Sequence, residues 1–463
     1  MQTCPVSGAS AHNAGAPNSW IETTMAGSIA QDVAGKAAPA PEATGHAVAP
    51  GDIAVGVIIG RVSEYFDYFV YGIASVLVFP AVFFPFEQRL EGTLYSFVIF
   101  SFAFIARPIG SFFFMTIQRR YGRGAKLTLA LFLLGTSTAG ISFLPGYDTL
   151  GIVAILLLAF FRIGQGVALG GSWDGLPSLL ALSAPKGRRG WYAMMSQLGA
   201  PVGFIMASGL FAFLYASVSP EDFLSWGWRY AFFVALAVNL VALFARLRLV
   251  VTHEFDQLFS ARELMPADGR EFFRTQGQLV VIGAFGALAS YALFHLVTVF
   301  PLSWIHLYSK QSVSDFLVVE IIGAFLGAGG IVASGLIADR IGRRNTLGTL
   351  AILIAVFSGF APTLLDGGTL GEDVFLMVGF TLLGLSYGQA AGAMNASFEP
   401  RFRYTGAALT NDLAWLIGAG FAPLVALFLS ARFGLGYLSL YLLSGAVCTL
   451  SALWINRAME VRD

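Results

Sequence analysis

From residue 52 onward the chain is a succession of apolar stretches separated by short polar clusters, and runs such as 150–161 and 230–243 are nearly continuous in apolar residues. A helix of about 20 such residues crosses the roughly 30 Å of bilayer hydrocarbon. Strands of a membrane barrel would instead alternate apolar and polar positions over about 10 residues. The pattern predicts twelve helical spans, at 53–83, 93–117, 126–145, 150–180, 191–217, 227–249, 277–301, 314–338, 346–365, 373–397, 405–431 and 434–456. The fold class is therefore an all-α polytopic membrane protein with twelve transmembrane helices.

An even number of spans puts both ends of the chain on one side, and the basic residues say which. Loops after the even spans carry Arg119, Arg120, Arg123, Lys126; Lys186, Arg188, Arg189; Arg246, Arg248, Arg262, Arg270, Arg274; Arg340, Arg343, Arg344; and Arg401, Arg403, whereas the odd loops carry Arg89, Lys310 and Arg432. The even loops and both termini are expected in the cytoplasm. Residues 1–50 contain no Leu, are rich in Ala, Gly, Pro and Ser, and read as a disordered cytoplasmic tail without a signal-peptide pattern. The organisation expected is an N-terminal six-helix bundle at 51–249, a cytoplasmic linker at 250–276, a C-terminal six-helix bundle at 277–457 and a short cytoplasmic tail at 458–463.

Composition agrees with this reading. The chain of 463 residues is 56% hydrophobic and 12% charged, where a soluble domain carries about 25% charged residues. Its zero net charge and scattered basic clusters argue against a nucleic-acid partner. Cys4 and Cys448 lie at opposite ends and the five His are scattered, so neither a disulfide framework nor a metal or cofactor is expected. The sequence has no convincing Ser/His/Asp order or phosphate-cradling Gly loop, and an enzyme is not expected.

Charges inside spans are costly and mark function by default. Span 1 carries Arg61, Glu64, Asp67 and Tyr71 at spacings that put them on one helical stripe, facing the protein interior or a wet cavity. Arg61 and Glu64 could form a buried ion pair; Asp67 has no cation at its own i+3 or i+4 and reads as protonatable or substrate-facing. Arg107 in span 2 could bind an anion or form a gating pair. Arg162 and Gln165 share a face of span 4, and Asp174 lies too far along that helix to pair with Arg162. Gln197 and Gln389 could hydrogen-bond a ligand or join helices. His295, Glu320 and the pair Asn411-Asp412 are the polar residues of note in spans 7, 8 and 11.

The run Gly335-Leu-Ile-Ala-Asp339-Arg340-Ile-Gly342-Arg343-Arg344 follows span 8, and Arg120-Tyr121-Gly122-Arg123 stands at the equivalent place after span 2. This weak internal repeat suggests two related halves with a substrate site between them. Its arginines and Asp339 suit a latch that opens and closes between helix ends.

These residues resemble the major facilitator superfamily, and within it the metabolite:proton symporter branch that transports proline and betaine, citrate, α-ketoglutarate or shikimate. The resemblance runs from about Gly60 to the last span and is carried by Glu64-Tyr-Phe-Asp67 with Tyr71-Gly72, Ala106-Arg107-Pro108-Ile-Gly110, Arg162-Ile-Gly-Gln165-Gly166 through Gly170-Gly171, Gly190 with Gln197-Leu-Gly-Ala-Pro201, Leu224-Ser-Trp-Gly-Trp228-Arg229, the 335–344 motif, and Arg403-Tyr-Thr-Gly406. It implies two six-helix bundles rocking about a central cavity, and proton-driven uptake of a small polar metabolite through the bacterial cytoplasmic membrane by a monomer. The chain departs from the family pattern at Met115 and Arg119, where a Gly and an Asp are expected, at Ser172 and Asp174, where the carboxylate is displaced by two residues, and at Arg61, where Asn is usual. The resulting expectation is a symporter of an organic acid or zwitterion, with Asp67, Glu64 and Asp174 as proton carriers and Arg61, Tyr71, Arg107, Gln165, Gln197 and Gln389 as substrate contacts. Arg120, Gly122, Arg123, Gly335, Asp339, Arg340, Gly342, Arg343 and Arg344 are the expected gating residues. The same architecture allows an efflux carrier or a transport-inactive ligand sensor.

Overall fold

A computed structural model describes residues 50–172, 175–185, 187–250, 257, 260, 264–390 and 398–456. The expected disordered N-terminal tail, apart from Pro50, the tail at 458–463, most of the linker before residue 264, and Asp174 lie outside the described residues. Among these residues there is no strand. That follows from the solvent: in hydrocarbon every backbone amide must find its partner within the chain, and a helix does so within one segment.

The spans are α1 (Pro50–Leu77), α2 and α3 (one helical run, Arg89–Phe143, parted at Gly122), α4 (Ile152–Gly171, resumed at Leu176–Ser183), α5 (Arg189–Met195 and Gly199–Ser217) and α6 (Arg229–Val250). The second half follows with α7 (Gly269–Gly286, Leu288–Thr298 and Phe300–Tyr308), α8 (Val313–Ile341), α9 (Arg343–Leu365), α10 (Gly368–Ala390), α11 (Arg403–Ala414, a π-turn at Trp415–Gly420, and Ala422–Phe433) and α12 (Gly436–Ile455). Among the described residues ten helices are apolar and long enough to cross a membrane, with α2 and α3 counted together. The remaining span is α1, which carries Arg61, Glu64 and Asp67.

Gly122 and Gly342 break the helices at the two motif loops with matching left-handed backbones, φ 84° and 83°. The repeat seen in sequence is thus a repeat in conformation, at a position where a side chain would be strained. α7 begins earlier than expected, inside the stretch read as linker. The reason is Asp268, whose carboxylate accepts from the amides of Arg270 and Glu271 and caps the helix. The amides of Glu271 and Arg270 hold this exposed carboxyl below the usual range.

Within the first half α1 packs on α5 and α6, and α4 on α2 and α3; within the second α8 and α9 pack on α10, while α12 packs on α7 and α9. The halves meet where α5 lies along α8 and where α2 meets α11. Helices approach closely at Gly166, where a Cβ would sit 2.3 Å from the carbonyl oxygen of Ala103. Close backbone packing through small residues is the ordinary means of joining helices in lipid. Gly166→Ala is therefore expected to force α2 and α4 apart, at a cost of about 1–3 kcal/mol, and to lower the thermal midpoint of the detergent-solubilised protein by size-exclusion assay.

Candidate functional site

The centre of the molecule is built from two matching helical faces. On α1, Tyr65, Tyr68 and Phe69 share one face at i, i+3 and i+4; on α7, Tyr291, Phe294 and His295 do the same. The two faces interlock with Tyr387 of α10 and Trp415 of α11. Their polar tips pair across the halves: the hydroxyl of Tyr65 bonds that of Tyr387, and the hydroxyl of Tyr68 bonds Nε2 of His295. Tyr291 donates to Asn411 over 2.9 Å. What space remains is small, a cavity of about 30 Å³ lined by Arg61, Glu64, Tyr65, Tyr68, Ala103, Phe104, Arg107, Leu169 and Trp415. That is about the volume of one water, so a metabolite fits only when the rings separate.

Three arrangements of charge surround this aromatic centre. In the first, Glu64 is gripped by Arg61 at 2.8 Å and by Arg246 at 2.7 Å, and Arg246 also donates to the carbonyl of Ser172. Arg246, counted from sequence among the loop residues, is buried. In the second, Nε of Arg107 meets Asp412 at 2.7 Å, Ser111 donates to the other carboxylate oxygen, and the guanidinium lies 5.9 Å from the Trp415 ring centre. This pair ties α2 to α11.

The third surrounds Asp67. Its carboxylate is 3% exposed and accepts from Thr138 at 2.7 Å, Asn239 at 3.2 Å and Gln165 at 3.3 Å. All three donors are neutral, and no ion pair to Asp67 occurs among the described residues. Arg162 reaches it only through Gln165, whose amide oxygen accepts from Nη1 of Arg162 at 3.0 Å. The guanidinium itself lies over Tyr71, 3.8 Å from the ring centre, and donates to the carbonyl of Phe100. Tyr71 is thus a platform for Arg162, and its own hydroxyl has no partner among the described residues. The Asp67 carboxylate is thus held by neutral donors, with the nearest cation one residue removed and no direct charge pair among the described residues.

The motif loops occupy one end of the bundles. Asp339 accepts from the backbone amides of Gly190 at 2.7 Å and Trp191 at 3.2 Å, so the carboxylate caps the N-terminus of α5 across the halves. Gln389 belongs to this latch: it donates to the carbonyl of Gly190 and to Ser334, and accepts from Arg343. Gly335 packs against Trp191 and Met194. Arg344 donates to the carbonyl of Leu453 on α12, whereas Arg340 and Arg120 are exposed. Asp339→Asn, which weakens the charge on the α5 terminus, is expected to raise several-fold the maleimide labelling rate of a cysteine placed at the buried Ala193, with labelling unchanged on the opposite end.

At the first-half loop Arg119 stands where Asp339 stands in the second, and it donates to the carbonyl of Ala267 at 3.3 Å and pairs with Asp268 at 3.6 Å. The bridge to α11 is made instead by Gln118, Lys126 and Tyr404: Tyr404 donates to Gln118 over 2.7 Å, and Lys126 reaches both. Arg123 donates to the carbonyl of Leu264, which is fully buried, and the amide of Ala267 donates to Thr405. The end of the linker therefore fills the place that a second acidic latch would take.

Gln197 sits at the break in α5 and donates to its neighbour Ser196. At the end of the bundles away from the motif loops lies a larger cavity of about 440 Å³, bordered by Glu87, Arg89, Tyr215 and His306 among others. Sequence reading did not anticipate Thr138, Asn239, Arg246 and Trp415 as members of the central site. Asn239 had a signal, as the lone polar residue of a long apolar run in α6; the roles of the others depend on which helices become neighbours.

The family model described as Major Facilitator Superfamily matches residues 65–423. The chain is 36% identical over 410 residues to the inner membrane metabolite transport protein YhjE of Escherichia coli K12, covering 87% of this chain and 93% of that one. It is 31% identical over 418 residues to the shikimate transporter of the same organism, covering 86% and 92%. Among solved structures, a D-xylose-proton symporter superposes with a TM-score of 0.66 at 18% identity, over 88% of this chain and 96% of that one.

Proposed function

Because the chain belongs to the Major Facilitator Superfamily and is a multi-pass membrane transporter rather than an enzyme, we propose that it imports a small organic acid or zwitterion together with protons. The observation that carries this reading is Asp67, a buried carboxylate held by Thr138, Asn239 and Gln165 and separated from Arg162 by one amide. Protonation removes the charge that organises those donors. Gln165 is then left to Thr138 and Arg162, and the signal passes to Tyr71 and to the Tyr68–His295 contact between the halves.

The substrate sits among Arg61, Arg107, Tyr65, Tyr68, His295 and Trp415. Two cations in that wall select a carboxylate, and the rings take its apolar body. A substrate carboxylate competes with Asp412 for Arg107, so binding loosens one tie between α2 and α11. Basic loops and both termini face the cytoplasm of a bacterial cell, and the protein acts as a monomer. The names of two similar proteins, a metabolite transport protein and a shikimate transporter, support the substrate class.

The test is uptake of a panel of labelled carboxylates and zwitterions into proteoliposomes with and without an inward proton gradient. Accumulation of an organic acid or zwitterion that requires the gradient is the expected result. Ligand binding without flux in either direction would reject the symporter in favour of a sensor.

A further inference from the structure

Glu320 takes no part in the site described above. It lies on α8, seven residues beyond Val313 and so about 10 Å along the helix at about 1.5 Å per residue. The residue is fully buried, and neither carboxyl oxygen has a hydrogen-bond partner among the described residues. It shares a buried stripe with Phe316, Gly323 and Gly327. The stripe packs on α10, where Gly323 and Gly327 meet Phe380, and at Gly327 it borders a small cavity that Phe69 and Phe204 of the first half also line, at the seam between the halves; Ile321, one residue round the helix, is the neighbour of Gly209 on α5.

An acid in such a place packs no better than Leu or Met would, and as a bare anion it would be strongly disfavoured. It is tolerated as a neutral acid, with its proton delivered and removed by water. Among the described residues no polar group reaches either carboxyl oxygen to lead that water in. The elements packed against this part of α8 carry titratable groups at the same end: Tyr215 on α5, His306 and Tyr308 on α7, and Glu372 and Asp373 on α10. None is hydrogen-bonded or ion-paired to Glu320. Those of α9, Arg343 and Arg344, lie at its opposite end. Separation of α5 from α8, the motion that opens a cavity between two halves, is what would wet the stripe.

We propose that Glu320 is a second proton-binding site, in the second half and separate from Asp67, loaded and emptied only when the α5–α8 seam opens. This rests on the proton-coupled reading of the protein, but its test does not require a substrate.

The full chain in lipid nanodiscs is examined by infrared difference spectroscopy, comparing wild type, Glu320→Gln and Asp67→Asn. Expected is a high-frequency carbonyl stretch of an unbonded protonated carboxyl that is lost in Glu320→Gln alone, shifts on transfer to D2O, and disappears at alkaline pH. Glu320→Gln keeps the shape and neutrality of the acid, and Glu320→Asp, should the amide fail to fold, is expected to move the band rather than remove it. A spectrum identical in wild type and Glu320→Gln overturns the proposal. So does a Glu320 band that neither exchanges nor titrates, which marks a purely structural acid. The Asp67 reading fails independently, if the gradient-driven uptake of Asp67→Asn equals that of wild type.

Discussion

Asp67→Asn is expected to abolish concentrative uptake while sparing substrate exchange. The substitution makes the position permanently neutral, as a bound proton does, and the amide oxygen of Asn can still accept from Thr138 and Asn239, with only the longer bond from Gln165 lost. The protein should therefore fold, bind and exchange labelled for unlabelled substrate at near wild-type rates. What it loses is the ability to make movement depend on the gradient. One pH unit is worth about 1.4 kcal/mol per proton, or a tenfold concentration ratio. Proteoliposomes of the wild type should reach about tenfold accumulation at that gradient for one coupled proton, and those of the variant a ratio near one. Variant vesicles that still concentrate substrate would shift the coupling role away from Asp67.

Glu64→Gln is expected to act on stability before it acts on transport. Glu64 stood beside Asp67 as a proton carrier on sequence grounds, but its carboxylate joins two arginines, at 2.8 and 2.7 Å, and all three groups are mostly shielded from water. Glu64→Gln takes from Arg61 and Arg246 the carboxylate they share at the junction of α1 and α6. Breaking a buried pair from one side costs about 3–5 kcal/mol. The measurement is the thermal midpoint of the solubilised protein, which should fall by far more than for Asp67→Asn. Restoration of most of the loss by Glu64→Gln combined with Arg246→Met would identify the broken Glu64–Arg246 pair as the cause. Unchanged stability with lost coupling would instead give Glu64 the proton role.

The contrast between these two acids shows how far sequence reasoning reaches. Both lie on the same stripe of α1, three residues apart, and helical periodicity correctly turns both inward. Periodicity does not say what faces them. Glu64 meets Arg246, contributed by the end of α6, and Asp67 meets Thr138 and Asn239, contributed by α3 and α6. Those partners are far away in sequence, so no spacing rule connects them. Gln389 is a similar case: a polar residue in an apolar helix, read as a ligand contact, that lies at the latch beside Gly190 because α10 ends there. The start of α7 also lies earlier than expected, since the Asp268 cap outweighs the polar composition that suggests a linker.

Apolar runs as long as the bilayer is thick, interrupted by basic loops, leave little freedom in the architecture, because in hydrocarbon the backbone must satisfy itself helix by helix. The helices, their number, the motif loops and the inward stripe of α1 are local consequences of residue order and can be read along the chain. Pairing is not local. Whether a buried charge is clamped, as Glu64 is, poised among neutral donors, as Asp67 is, or without a partner among the described residues, as Glu320 is, depends on side chains brought in by other helices. The energy of a buried charge is set by what lies within a few ångströms of it, and only the packing of helices against one another supplies those neighbours.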